Sequence, residues 1–310
     1  MLSASDTAYP LLKANPTARE LDELYTPNLF ELTFAESQTR RPALCLGLLL
    51  LLKTFQRLGY FVPIADIPVC IVQHASRVAG FPEIPAGLST YDFGSARGQH
   101  MTLVRSYLGV KAFDHASKRV MSKACVEASR VREDLADIIN IGIEELIRQR
   151  YELPGFTTLF RAARTARSTV NRGYYTQIAN SLDEKTKTRL APLFEPKSEE
   201  RCSGWEAVKR EPGRPTVKHI RQFLHHLNWL RELADHGNPL TGVPPVKIQR
   251  FAAEARALNI SRMKELMEPK RWALTAALVH RQLARAFDDG ADMLIRVVQK
   301  MHKSGQGFAQ

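Results

Sequence analysis

Residues 134–150 read DLADIINIGIEELIRQR, residues 151–155 read YELPG, and residues 156–172 read FTTLFRAARTARSTVNR. The first block repeats apolar residues at three- and four-residue spacing, the period of an amphipathic helix. The second holds a proline and a glycine, which end one helix and admit a turn. In the third, wound at about 100° per residue, Phe156, Leu159, Phe160, Ala163, Ala166 and Val170 gather on one apolar arc. Thr157, Arg161, Arg164, Thr165, Ser168 and Arg172 fall on the opposite arc, with Thr158 beside them. Two helices about a tight glycine-containing turn have the outline of a helix-turn-helix. An Arg/Thr/Ser face suits a helix in the major groove, because guanidinium forks reach guanine edges or phosphates and hydroxyls reach bases or backbone. Arg167 lies at the border of the apolar arc, where its stem is expected to cover packing surface while its head reaches water. An ordinary solvated basic helix is the competing reading of the same pattern.

Working outward, residues 97–132 carry Arg97, Arg105, Lys111, Lys118, Arg119, Lys123, Arg130 and Arg132 against Asp114 and Glu127. That density suits phosphate contacts, which position a protein without reading sequence. Lys209-Arg210-Glu211-Pro212-Gly213-Arg214-Pro215 forms a stiff basic turn ahead of a helix opening at Thr216, Val217 and Lys218. Backbone donors at that helix start favour a phosphate, although a solvated interdomain loop fits the turn equally well.

The 310 residues carry 44 Lys+Arg against 32 Asp+Glu, a net +12 with a pI near 9.7. Residues 1–96 hold 7 basic and 9 acidic groups, so the whole excess, and more, lies beyond that point. The sign predicts a polyanionic partner and says nothing of fold. A hydrophobic share of 44% excludes a wholly disordered chain. The longest apolar run, Ala43–Leu52, is half of the roughly 20 residues a membrane-spanning helix needs. With no signal-peptide pattern and four dispersed cysteines (Cys45, Cys70, Cys125 and Cys202), a cytoplasmic protein with reduced thiols and no membrane partner is expected.

The expected fold is all-α, in several small helical bundles. Helices are placed at about 42–58, 65–79, 97–108, two within 116–150, then 156–171, 174–181, 216–234, 245–258, 261–267 and 269–301. Domains are drawn at 1–115 (N-terminal helical), 116–209 (the helix-turn-helix-like DNA-binding unit) and 210–310 (C-terminal helical). No nucleotide-binding, zinc-protease or hydrolase signature occurs. His219, His225 and His226 share one helix without further ligands nearby. Asp288, Asp289 and Asp292 read as surface or capping groups about a turn interrupted by Gly290, and Trp229 and Trp272 read as core.

Several stretches together resemble the N-terminal region of Tn-three family replicative transposases. They are LPGFTTLFRAARTARS at 153–168, REPGRP at 210–215, GVPPVKIQRFAAEAR at 242–256, PKRWALTAALVHRQL at 269–283, and Asp288-Asp289-Gly290-Ala291-Asp292-Met293. Arg97-x-x-His100, Tyr107-Leu108-Gly109 and Phe113 fit the same layout and put His100 among the candidate DNA contacts. The likeness runs from about Arg40 to Met301, and the first 35 residues and Lys303–Gln310 depart from it. It implies a set of helical DNA-binding domains that recognise the terminal inverted repeats of a transposon. It also implies that catalysis belongs to a later Asp-Asp-Glu domain binding two divalent ions, expected to lie outside this chain. No catalytic residue and no cofactor are therefore assigned here; Mg²⁺ would belong to that domain. Double-stranded DNA, a transposase homodimer or a full-length transposase are the implied partners. A helical scaffold that binds no DNA is the alternative.

Overall fold

The computed structural model describes residues 2–195, 203–211, 216–235 and 237–306. Among them the chain is all-α, the one β element being an isolated bridge between Lys111 and Tyr151. No helix among the described residues is long and apolar enough to cross a membrane. Two compact units divide the chain: Met1–Ser129 with Asp134–Ala166, and Arg130–Glu133 with Arg167–Gln310.

The first unit holds α1 (Ala18–Tyr25), α2 (Leu29–Gln38), α3 (Pro42–Leu58), α4 (Val69–Val78) and α5 (Ser95–Leu108). It also holds most of α6 (His115–Val131), α7 (Leu135–Arg148) and the start of α8 (Phe156–Ser181). Helix α3 spans the residues its composition predicts and is buried all round from Leu46 to Leu52. Each fully buried leucine there contributes about 2 kcal/mol of transfer free energy. Gly47 is needed for close approach, since a Cβ on it would lie 2.4 Å from the Tyr91 ring. The 65–79 segment is shorter than expected, a 3-10 turn at Ile64–Asp66 followed by α4. Helices α1 and α2 lie in the stretch to which no helix was assigned. Each opens on a reciprocal cap, Thr17 with Glu20 and Asn28 with Glu31, the sequence signature that would have located them.

A second core in this unit is shared by α6, α7 and α8 through Met121, Cys125, Ile138, Ile139, Ile143, Leu146, Leu159 and Ala163. Gly142 sits where the three meet. A Cβ there would lie 3.2 Å from Cys125 Sγ and 3.8 Å from Leu159 and Met121. Burial pushes the Cys125 thiol up to about 11, so it packs as a neutral apolar group.

The second unit is built on α14 (Glu268–Gln306), against which α11 (Val217–Ala234) and α12 (Pro245–Ala257) pack. Helices α9 (Glu184–Leu190), α10 (Gly204–Val208) and α13 (Ile260–Glu265) complete it. Two sequence expectations change here. The break near residues 172–173 is absent, and α8 continues through Gly173 because Tyr174, Tyr175, Ile178 and Ala179 pack into this unit's core. Gly290 does not interrupt α14 but admits the Phe223 ring, whose Cε1 would be 3.2 Å from an added Cβ. Trp205 is fully buried in the same core and donates its indole N–H to the Leu258 carbonyl at 2.8 Å.

These glycines predict opposite outcomes for one substitution. Gly173 has nothing within 4 Å of an added Cβ, so Gly173→Ala should stabilise by about 0.5–1 kcal/mol through helix propensity. Gly47→Ala should destabilise by about 1–3 kcal/mol through overpacking against Tyr91. Chemical denaturation of the two variants checks both signs.

Candidate nucleic-acid interface

The start of α8 is fixed from several sides. Leu153 N–H donates to the Gly59 carbonyl at 2.8 Å, and the Tyr9 hydroxyl donates to the Pro154 carbonyl at 3.1 Å. Tyr9 also stacks on Tyr60 at 5.0 Å and meets Phe156 edge-on at 5.7 Å. Ala8 N–H donates to Asn140 Oδ1 at 2.8 Å. The N-terminal segment thus holds the turn that delivers the candidate helix. Sequence reasoning missed Tyr9, because an isolated tyrosine far along the chain carries no periodic signal.

The connection from α7 to α8 occupies residues 149–155, longer than the three or four residues of a helix-turn-helix turn. The sequence placed it at Tyr151–Gly155. The difference arises because Gln149 and Arg150 wrap the end of α7 before the chain extends beside Lys111.

The two predicted arcs of α8 are realised. Leu159, Ala163 and Ala166 are buried, and Phe156, Phe160 and Val170 are half-buried. Thr157, Arg161, Arg164, Thr165, Ser168 and Arg172 are all exposed, and Thr158 is half-buried. With a rise of about 1.5 Å per residue, the exposed stripe from Thr157 to Arg172 runs roughly 22 Å. None of its arginine side chains has an ion-pair or hydrogen-bond partner among the described residues. Arg167, expected to reach solvent, instead donates its guanidinium to the Glu133 carbonyl at 2.9 Å.

Other sequence candidates divide sharply. On α6, Lys118, Arg119 and Lys123 are exposed, Lys123 lying near enough to Glu145 to help hold that carboxyl low. Arg97 pairs with Asp92 at 3.0 Å and also donates to the Val62 carbonyl. Arg105 pairs with Glu152 at 2.8 Å and covers the Phe61 ring. His100 is buried, 5% exposed, with Nδ1 2.7 Å from the Tyr91 hydroxyl. Lys209 donates to the Leu258 carbonyl and to Glu206 and lies over the Trp205 ring. These four side chains serve internal packing, and their charge or donors do not face solvent as an open phosphate site requires. Arg210 is exposed, Arg214 lies outside the described residues, and so does the side chain of Lys218.

The second unit buries a cation that no sequence reading singled out. Lys247 is fully buried, pairs with Glu133, and donates to Asn171 Oδ1 at 2.9 Å and the Arg132 carbonyl at 3.1 Å. Burial lowers its pKa, while Glu133 opposes the shift. His219, His225 and His226 line a cavity of about 1010 Å³, and no group of three metal-ligating side chains occurs among the described residues.

Two outcomes follow. Lys247→Ala removes one partner of a buried pair and should cost about 3–5 kcal/mol in denaturant unfolding. Burial also holds His100 below its ordinary 6.5, so below that pH the unfolded chain takes up a proton that the folded ring resists. Stability should therefore fall as pH drops below about 6.5 toward the lower folded value, and thermal melts of His100→Asn should show a weaker pH dependence there.

Residues 2–166 match the family model described as a domain of unknown function, DUF4158. The match ends at Ala166, where the first compact unit also ends. The chain is 23% identical over 268 residues to the transposase for transposon gamma-delta of Escherichia coli strain K12, covering 84% of this chain and 27% of that protein. It is 22% identical over 323 residues to the transposase for transposon Tn21 of Escherichia coli, covering 100% of this chain and 31% of the relative. The transposase for transposon Tn1546 of Enterococcus faecium is 23% identical over 214 residues, covering 67% and 20%. The chain therefore spans less than a third of the length of these relatives. By the match over more than half its length, the chain belongs to the DUF4158 family, and it is related to the Tn-three family transposases.

Proposed function

We propose that this chain binds duplex DNA at the terminal inverted repeats of a transposon, as the end-recognition part of a transposase. The observation that carries the reading is the exposed stripe of α8, where Arg161, Arg164 and Arg172 stand among hydroxyls without an internal partner. Arg97 and Arg105 in the same chain are held by carboxylates, whereas the arginines of this α8 face are not and share it with three hydroxyl side chains. Relatedness to transposases supports a role in transposition.

In this reading α8 lies in the major groove. Arg161 and Arg164 fork onto base edges, while Thr157, Thr165 and Ser168 reach bases or backbone. Lys118, Arg119 and Lys123 on α6 and Arg172 near the middle of α8 contact phosphates, which fix register without carrying sequence information. Lys209, His100, Arg97 and Arg105 are left out because their donors or charges are engaged inside the fold. The strand-transfer chemistry and its Mg²⁺ are assigned to another part of the transposase. A second copy of the chain would bind the second end.

A gel-shift experiment with the inverted repeat of the encoding element tests this. The account predicts tight binding that weakens steeply with salt and survives competitor DNA. Arg161→Ala and Arg164→Ala should each cost about 1–3 kcal/mol of specific binding. Equal affinity for random duplex, unchanged by either substitution, contradicts the assignment and favours a helical scaffold. Strand transfer by this chain alone with Mg²⁺ contradicts the division of labour.

A further inference from the structure

Four helices of the first unit end on a residue with positive φ, and three of those residues are glycine: Gly59, Gly80 and Gly109. The fourth is Arg150, at φ +56°, the one non-glycine residue with positive φ among the described residues. Gly80, Gly109 and Arg150 close the same double hydrogen-bonded cap. At Gly80 the bonds are Gly80 N–H to Arg77 O and Phe81 N–H to Ser76 O, and at Gly109 they are Gly109 N–H to Ser106 O and Val110 N–H to Arg105 O. At Arg150 they run from Arg150 N–H to Ile147 O at 3.0 Å and from Tyr151 N–H to Leu146 O at 2.9 Å. In this cap the left-handed residue is usually glycine, since a Cβ there crowds the following carbonyl. One position thus keeps a long cationic side chain where the same unit elsewhere uses glycine.

Backbone strain of this kind clusters where a side chain has work to do. The Arg150 side chain is exposed and has no ion-pair or hydrogen-bond partner among the described residues. Its backbone is locked by a second set of bonds: Lys111 N–H donates to Arg150 O at 2.8 Å, and Glu152 N–H donates to Lys111 O at 2.8 Å. Nearby carboxylates are occupied, Glu152 by Arg105 and Glu145 by Arg148. The guanidinium is therefore a rigidly mounted, unneutralised cation in the connection that leads into α8.

We propose that Arg150 is a phosphate-contacting residue that anchors the α7–α8 connection on the DNA backbone beside the groove occupied by α8. The proposal rests on the DNA-binding reading above. Its role is positional, so it contributes to every duplex and to sequence choice only through the register it sets.

Arg150→Gly separates this from a structural role because the two properties should move in opposite directions. The glycine relieves the left-handed strain, so the melting temperature of the full chain should rise. Affinity for the inverted repeat and for random duplex should fall by a similar factor, roughly threefold to tenfold at moderate salt. The slope of log affinity against log salt should become shallower by about 0.9, the amount expected for one lost phosphate contact on B-DNA. Arg150→Lys keeps the charge and should retain most of the affinity and slope. Unchanged affinity and slope in Arg150→Gly, with wild-type binding intact, overturn this inference alone. A lowered melting temperature also overturns it, because the guanidinium would then be serving the helix end. Failure of the wild-type chain to bind the inverted repeat overturns the DNA-binding reading and this inference with it.

Discussion

The close approach at Gly142 is the constraint on which the functional geometry depends. Three helices converge closely here, and a Cβ added at Gly142 would crowd Cys125 Sγ at 3.2 Å while touching Met121 and Leu159 at 3.8 Å. Burial of Leu159, Ala163 and Ala166 in the core beside it fixes the rotation of α8 about its own axis. Once the rotation is fixed, the i, i+3/i+4 spacing leaves no choice about what faces outward. The stripe of Thr157, Arg161, Arg164, Thr165 and Ser168 is the consequence of packing on the opposite side. Tyr9, Tyr60 and the Gly59 carbonyl then set where the helix begins.

How far the sequence was legible follows from the kind of signal each element carries. Helix α3 is apolar over ten consecutive residues and α8 is sharply two-faced, so both faces and most bounds could be read directly. Helices α1 and α2 are short, and only their reciprocal caps mark them. The break placed near Gly173 and the turn placed at Gly290 misjudged glycine in the same way. A glycine inside a helix is tolerated when its flanking residues are held by packing, and at 290 its small size is what the Phe223 ring requires.

Charge was the least legible property of the candidate site. Counting cations located the basic two-thirds of the chain but could not show which charges the fold had already neutralised. Arg97 and Asp92 lie five residues apart, yet Arg105 and Glu152 lie 47 apart, and Lys247 and Glu133 lie 114 apart. Pairings at such separations have no local pattern. Removing such pairs leaves exposed cations on α6, on α8 and in the connection ahead of α8, as well as on other elements of both units.

The central claim is that the outward face of α8 meets DNA bases. Photocrosslinking tests it most directly, with a crosslinking side chain placed at exposed Thr165 and, as a control, at exposed Thr33 of α2. The account predicts that position 165 crosslinks to bases within the inverted repeat, at a defined register, while position 33 gives no base adduct. Binding that persists with no base adduct at 165, or with adducts equal at both positions, would contradict it.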